Sequence, residues 1–177
     1  MTGRAARRRV LVIGPPGAGK SHFARQLGER LGLPVIHLDA HYWSPGWVEP
    51  TPAEWAARLP ALLARPAWIM DGNYSRTLPQ RLAACDTVVF LDLPRWQCLW
   101  GVLRRAWLER GRVRADMAAG CPEKLDPAFL GFTWGYRRRS RPGVMRLLAQ
   151  WEDRVAVHRL VSRGEASAFL DGVSARR

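Results

Sequence analysis

RVLVIGPPGAGKSHFARQLGERLG, residues 9–32, decides the fold. Apolar Val10 to Ile13 read as a short strand, GPPGAG as a tight turn, and Phe23, Leu27 and Leu31 as one face of a helix. Within it Gly14, Gly19, Lys20 and Ser21 complete the pattern G-x-x-x-x-G-K-[ST] between strand and helix, the context that pattern requires. Glycines let consecutive backbone N–H groups turn inward around a phosphate, and the helix N-terminus adds its positive end. Gly14, Pro15, Pro16, Gly17, Ala18, Gly19, Lys20, Ser21 and His22 are therefore the candidate cradle for a nucleoside triphosphate, taken as ATP. Lys20 can bridge the β- and γ-phosphates and the Ser21 hydroxyl can ligate Mg²⁺, whereas no chemistry is expected of the His22 side chain. The loop names a phosphoryl donor; the rest of the chain must supply the acceptor.

Outward from the loop, further β-rich runs recur at PVIHL (34–38), AWIMD (67–71), TVVFLD (87–92) and RVAVHRL (154–160). They are short and nearly continuous, as strands covered on both faces are. Helical patterns lie between them. TPAEWAARLPALL opens with a cap, a proline and an acidic third position at Thr51, Pro52 and Glu54. Pro94 to Gly111 carries Trp96, Leu99, Trp100, Leu103 and Trp107 as its apolar set, and SRGE (162–165) is a capping box for the last helix. Strand alternating with helix predicts a parallel α/β sheet covered on both sides. Two stretches exceed simple connections, 39–66 after strand 2 and 104–141 after strand 4. Long excursions on such a sheet are usually functional, so the first is a candidate acceptor-binding arm and the second a candidate Arg-rich lid.

The 177 residues suffice for one good core, so a single domain spanning 1–177 is expected. No apolar run approaches the roughly 20 residues of a membrane span, and the basic then apolar start reads as a strand rather than an export signal. Cys85, Cys98 and Cys121 show neither disulfide nor zinc spacing, which fits a reducing cytoplasm. The net charge is +13, and Lys20 and Lys124 are the only lysines among 28 basic residues. Residues 95–141 hold ten Arg and Lys124 against Glu109, Asp116, Glu123 and Asp126. Such a surplus can line a polyphosphate pocket or attract nucleic acid.

A Mg²⁺ site also needs a carboxylate at the tip of a neighbouring strand. Asp71, followed by Gly72, is favoured over Asp92, which reads equally well as a helix-start cap. Arg104, Arg105, Arg110, Arg112 and Arg114, with Arg137, Arg138, Arg139 and Arg141, offer clamps for a transferring phosphoryl group, and Arg110, Arg114 and Arg138 are singled out as catalytic candidates; a solvated charged face accounts for the rest. The spacing of His37 and His41 is that of a helical metal pair, but His37 falls in a strand.

GPPGAGKS, VIHLD, WIMDGNYS, FLDLPRWQCLW, GRVRADMAAGCPEKLD and RRRSRP together resemble the bacterial P-loop ATPases called DNA topology modulation proteins (FlaR-like) over nearly the whole chain. More widely, the sheet and loop are similar to adenylate kinase and other small-molecule kinases. The resemblance implies a three-layer α/β/α P-loop NTPase fold with a five-stranded parallel sheet in the order 2-3-1-4-5. It aligns Asp71 with the Asp of the adenylate kinase D-G pair, and places Arg76 one residue later than the Arg of the DGFPR pattern, where it is a candidate for the acceptor. By position in the wider family, Ser162 and Arg163 lie near the adenine. Region 34–47 resembles, loosely, shikimate and gluconate kinases, in which an Asp after strand 2 contacts the substrate hydroxyl. That makes Asp39 the candidate base, with a turn cap as its alternative. Tyr42 and Trp43 belong to an aromatic cluster that either stacks on the acceptor or forms the arm's own core, and Asn73 and Tyr74 are expected to reach the acceptor from the tip of strand 3. The implied function is Mg²⁺-dependent transfer of the γ-phosphoryl of ATP to a small-molecule or nucleotide acceptor by a monomer or homodimer. The rivals are a DNA-associated ATP-binding protein, which the narrow family's label implies and no motif derives, and an ATPase with no acceptor.

Overall fold

Val10 and Val12 point to one side of the first strand and Leu11 and Ile13 to the other, and all four are buried. That alternation within an unbroken apolar run requires a covering layer on each face of the sheet. In the computed structural model, which describes residues 8–173, helices supply both layers. The chain runs β1 (Arg9–Ile13), α1 (Lys20–Leu31), β2 (Val35–His37), α2 (Leu38–Tyr42), α3 (Pro52–Leu63), β3 (Trp68–Asp71) and a 3₁₀ turn (Ser75–Thr77). It continues α4 (Leu78–Ala84), β4 (Thr87–Leu91), α5 (Arg95–Leu108), α6 (Pro127–Arg139), α7 (Arg141–Ala149), β5 (Ala156–Leu160) and α8 (Arg163–Asp171). The five strands are parallel and ordered β2-β3-β1-β4-β5, as the resemblance implied.

One core lies under Leu11, Ile36, Leu59, Trp68, Met70 and Phe90, the other under Val12, Phe23, Leu27, Ile69, Val89 and Cys98. The predicted caps form. Thr51 Oγ1 accepts from Glu54 N while Glu54 Oε2 accepts from Thr51 N, and Ser162 Oγ accepts from Glu165 N. The Glu165 carboxylate reaches past the cap to Val161 N instead of returning to Ser162.

Three expectations need correction. Strand 2 stops at His37, and Asp39 stands in the first turn of α2 rather than at a strand end. The last strand begins at Ala156, because Trp151 to Val155 form a turn. The expected apolar set of α5 faces the wrong way for a core: Trp96, Trp100, Leu103 and Trp107 are exposed, and Cys98, Val102 and Ala106 are buried. The reason is close contact. A Cβ on Gly101 would lie 2.2 Å from the Gly17 carbonyl oxygen, so only the small-residue face of α5 can meet the loop after β1. Two helices, α6 and α7, lie in and after the Arg-rich excursion, where no helix was read. The basic residues before Arg8 lie outside the described residues.

Candidate active site

The loop Gly14–Gly19 joins β1 to α1 at the carboxyl end of the sheet, on its central strand. Gly19 caps α1 with a left-handed φ of 87° and no side-chain cap, so the first-turn amides of α1 are left to a ligand. Gly17, at φ 75°, rests its backbone on Cys98, where a Cβ would come within 2.0 Å of the carbonyl oxygen. Lys20 Nζ donates to the Pro15 carbonyl at 2.9 Å, arching over the loop. Burial lowers the Lys20 pKa below the ordinary lysine value, and the charges of Asp39 and then Asp71 oppose that shift. The ammonium therefore stands in the field of both carboxylates.

Asp71, the last residue of β3, is 4% exposed and accepts a 2.8 Å hydrogen bond from His37 Nδ1. Burial works to lower the His37 pKa, but the hydrogen bond to Asp71 and the charges of Asp71 and Asp116 outweigh it, and the net shift is upward. His37 is thus engaged by Asp71, and no metal pair with His41 is indicated. Asp39 Oδ1 accepts from the Tyr74 hydroxyl at 2.5 Å. Burial, then the Asp39 charge, raises the Tyr74 pKa, which keeps that phenol a donor. The tip of β3 is tied down twice more. Asn73 Oδ1 accepts from Gly14 N at 2.9 Å, and the fully buried Arg81 guanidinium donates to the carbonyls of Gly72, Asn73 and Tyr74. Burial brings Arg81 down to about 10.

Opposite these groups stands the Arg-rich excursion. Arg114 Nη1 donates to Asp116 Oδ2 at 2.8 Å, and Glu123 Oε2 lies 3.0 Å from Arg114 Nε and 3.1 Å from Arg105 Nε. The two excursions meet. Gly46 N donates to Gly120 O, Trp47 Nε1 to Pro122 O and Cys121 Sγ to Ser44 O, and Trp43 and Trp47 pack on Met117, Ala118 and Cys121. The result is a cleft of about 1580 Å³ lined by the loop, Asp39, Asp71, Asn73, Tyr74 and, from the Arg-rich excursion, Arg105, Arg114 and Asp116.

No family model matches the chain, and a search of curated proteins finds no match. Among solved structures, shikimate kinase from Acinetobacter baumannii in complex with shikimate aligns with a TM-score of 0.58 at 18% identity, covering 94% of this chain and 90% of that one. The fold is that of a P-loop kinase. At 18% identity the likeness carries the fold alone, and the narrower topology modulation resemblance rests on the quoted motifs.

On this P-loop kinase fold the sequence-predicted residues divide. Pro16 to His22, Asp39, Tyr42, Trp43, Asp71, Asn73, Tyr74, Arg114 and Arg163 line the cleft. Gly14 and Pro15 are buried beneath the loop, with Gly14 bound to Asn73. Arg76 on the 3₁₀ turn, Arg110 after α5 and Arg138 on α6 are exposed and stand outside the lining, because the turns that carry them project to solvent. Tyr42 packs against Trp43, Trp55 and Tyr74 with ring centroids 4.5 to 5.2 Å apart and stays partly exposed on the cleft, so it serves the packing of the excursion as well as the lining. Asp92 is neither helix cap nor cleft residue; Arg141 and Arg159 bind it.

Sequence reading did not single out Asp116, Glu123 or Arg81. Asp116 and Glu123 were legible only as counter-charges in a basic segment, and Arg81 lies in a short helix without a motif. For a Mg²⁺ ion the residues fit: the Ser21 hydroxyl and the Asp71 carboxylate are hard oxygen donors in one cleft beside a phosphate cradle. Among the described residues no group of three or more His, Cys, Asp or Glu could hold a metal alone. Mg²⁺ does not ask for one, since one or two side chains and the substrate phosphates usually suffice.

Proposed function

We propose that this protein is a Mg²⁺-dependent phosphotransferase that moves the γ-phosphoryl of ATP to a hydroxyl on a small molecule. The observation that carries this reading is the one cleft that Lys20, Asp39 and Asp71 share, with the Lys20 ammonium over the loop at the Pro15 carbonyl and the Asp39 carboxylate held by the Tyr74 hydroxyl. A phosphoryl group held by Lys20 and the α1 amides then sits between the loop and the Asp39 carboxylate. Asp39, aligned by the Tyr74 hydroxyl, can accept the proton of an attacking hydroxyl or orient it in line. Ser21 and Asp71 would hold the metal, which would supply positive charge to offset the charge that develops during transfer. Arg114, held in the cleft wall by Asp116 and Glu123, would add positive charge near the transferring group, and closure of the two excursions over bound substrate would exclude water, the competing acceptor. The Arg163 side chain lies on the rim where the adenine is expected.

A nucleoside monophosphate acceptor would need arginine clamps rather than a carboxylate. The resemblance offered Arg76 for that task, and Arg76 is exposed outside the lining. Arg105 and Arg114, which do line the cleft, are held in ion pairs with Glu123 and Asp116, and this together with the place of Asp39 supports the hydroxyl reading. The test is transfer of ³²P from [γ-³²P]ATP to sugars, hydroxy acids, nucleosides and nucleoside monophosphates, with products separated by chromatography. Labelled phosphomonoester from a hydroxyl acceptor is the expected outcome. Labelled nucleoside diphosphate, or inorganic phosphate alone under every condition, would contradict it.

A further inference from the structure

We infer that the exposed face of α5, continued by Trp134 of α6, is a docking surface for an anionic lipid bilayer, on which the protein lies peripherally. Trp96, Trp100, Leu103 and Trp107 follow one another at steps of four, three and four residues, so they form one stripe about 16 Å long on a single side of the helix. All four are exposed, Trp96 by 65% and Trp107 by 80%. Helix α6 packs beside α5 and widens the stripe: the Arg95 guanidinium lies 4.1 Å from the centroid of the exposed Trp134 ring. Single exposed apolar residues are ordinary, whereas a contiguous aromatic patch with a polar rim marks a contact surface. A nucleotide in the cleft would leave it uncovered, because only Trp100 of these residues enters the lining, and Trp96, Leu103, Trp107 and Trp134 stand outside it.

Charge names the occupant. The acids of residues 95–141 are withdrawn from the surface: Asp116 and Glu123 are buried in ion pairs with Arg105 and Arg114, Asp126 caps α6, and Glu109 is half-buried. The fully exposed charges of the same segment are Arg95, Arg104, Arg110, Arg112, Lys124 and the run from Arg137 to Arg139, every one of them basic. An aromatic stripe with a basic rim complements headgroup phosphates over acyl chains, since indoles settle at that boundary and arginines bond the phosphates. A second copy of the chain would set one arginine rim against another, which the net charge of +13 opposes. Single-stranded nucleic acid also stacks on aromatic rings, but it does so along a charged groove; here the indoles stand on the outer side of a helix with Leu103 among them, which stacked bases would leave in water. Among the described residues no helix is long and apolar enough to cross a membrane, so the contact is one of lying on the surface.

The test is co-sedimentation of the full chain with vesicles of phosphatidylcholine alone and of phosphatidylcholine with about 30% phosphatidylglycerol, for wild type and the double variant Trp96→Ser/Trp107→Ser, with circular dichroism as a check of folding. The wild type is expected to bind the anionic vesicles at least about 100-fold more tightly than the neutral ones, with the difference shrinking in high salt. The folded double variant is expected to bind them about ten-fold more weakly than the wild type. Equal binding by the two proteins would overturn the proposal, because the arginines alone would then account for the attraction. A second measurement needs no variant: vesicles with brominated acyl chains are expected to quench the wild-type tryptophan fluorescence, and bound protein without quenching would overturn the insertion of the stripe. Absence of vesicle binding, with either a single-stranded oligonucleotide or a dimer that the double variant loses, would assign the patch to nucleic acid or to a second copy and overturn the lipid reading.

Discussion

Four charge-assisted hydrogen bonds converge on Asp92, three from Arg141 Nε and Nη2 and one from Arg159 Nε at 2.7 Å. Burial works to raise this carboxyl, but the two arginines outweigh it and hold it below the usual carboxylate range. A depressed folded-state pKa contributes stability that is fully present above the unfolded value near 4 and is lost as pH falls through the folded value. Asp116 titrates in the same sense. Urea unfolding from pH 7 to 2.5 is therefore expected to show stability falling below about pH 4. Asp92→Asn should start about 3 kcal/mol lower at pH 7, because it leaves two arginines without their buried partner, and should fall less steeply in acid. Parallel profiles for the two proteins would show that Asp92 carries no such linkage. The side-chain identities at Lys20, Ser21 and Asp71 were legible because backbone spacing fixes them; the partners of Asp92 were not, because Arg141 and Arg159 reach it from 49 and 67 residues away.

At the scale of elements, α5 shows where pattern reading fails and why. Its large apolar residues form a helical stripe, which argues for a core face, yet Trp107 is 80% exposed. The buried stripe is Cys98, Val102 and Ala106, flanked by Gly101, and it is chosen by the need to seat the Gly17 backbone. Hydrophobicity cannot report that steric demand. Gly101→Ala is accordingly expected to destabilise the protein by about 2 kcal/mol and to weaken nucleotide binding, since the new methyl pushes on the phosphate loop. Trp107→Ser should stay within about 0.5 kcal/mol. Thermal unfolding of both variants decides between the faces, and the reverse ranking would restore the sequence reading. The strands and the helices opened by Thr51 and Ser162 were legible because caps and continuous β-branched runs are local signals. Short α2 and α4 were not, and neither was the longer α6, because tertiary packing determines them more than propensity does.

At the scale of the whole molecule, two excursions far apart in sequence form one cover. Trp47 adopts a left-handed φ of 64°, a strained conformation for a bulky residue, and its indole bonds the Pro122 carbonyl across the junction. Trp47→Ala is expected to loosen the junction of the two excursions, with trypsin cutting after Arg110 and Arg112 about ten-fold faster. Unchanged cleavage would mean that the excursions do not depend on each other. The same view redistributes the basic surplus. Arg105, Arg114 and Arg141 are engaged in ion pairs inside the molecule, so the charge that suggested nucleic acid is in part internal structure. The sequence located both excursions by their length alone, and their mutual contact, which depends on Gly46 meeting Gly120, has no sequence signal.

In the proposed reaction one cleft holds the phosphoryl donor at Lys20 and a hydroxyl acceptor at Asp39. Its most direct measurement is the fate of the γ-phosphoryl group, followed by ³¹P NMR with Mg²⁺ATP and a hydroxyl acceptor, in wild type and Asp39→Asn side by side. The account expects a phosphomonoester resonance whose rate of appearance falls at least about 100-fold in the variant, with ATP still bound. A phosphomonoester formed equally fast by Asp39→Asn, or inorganic phosphate as the sole product of the wild type, would contradict it.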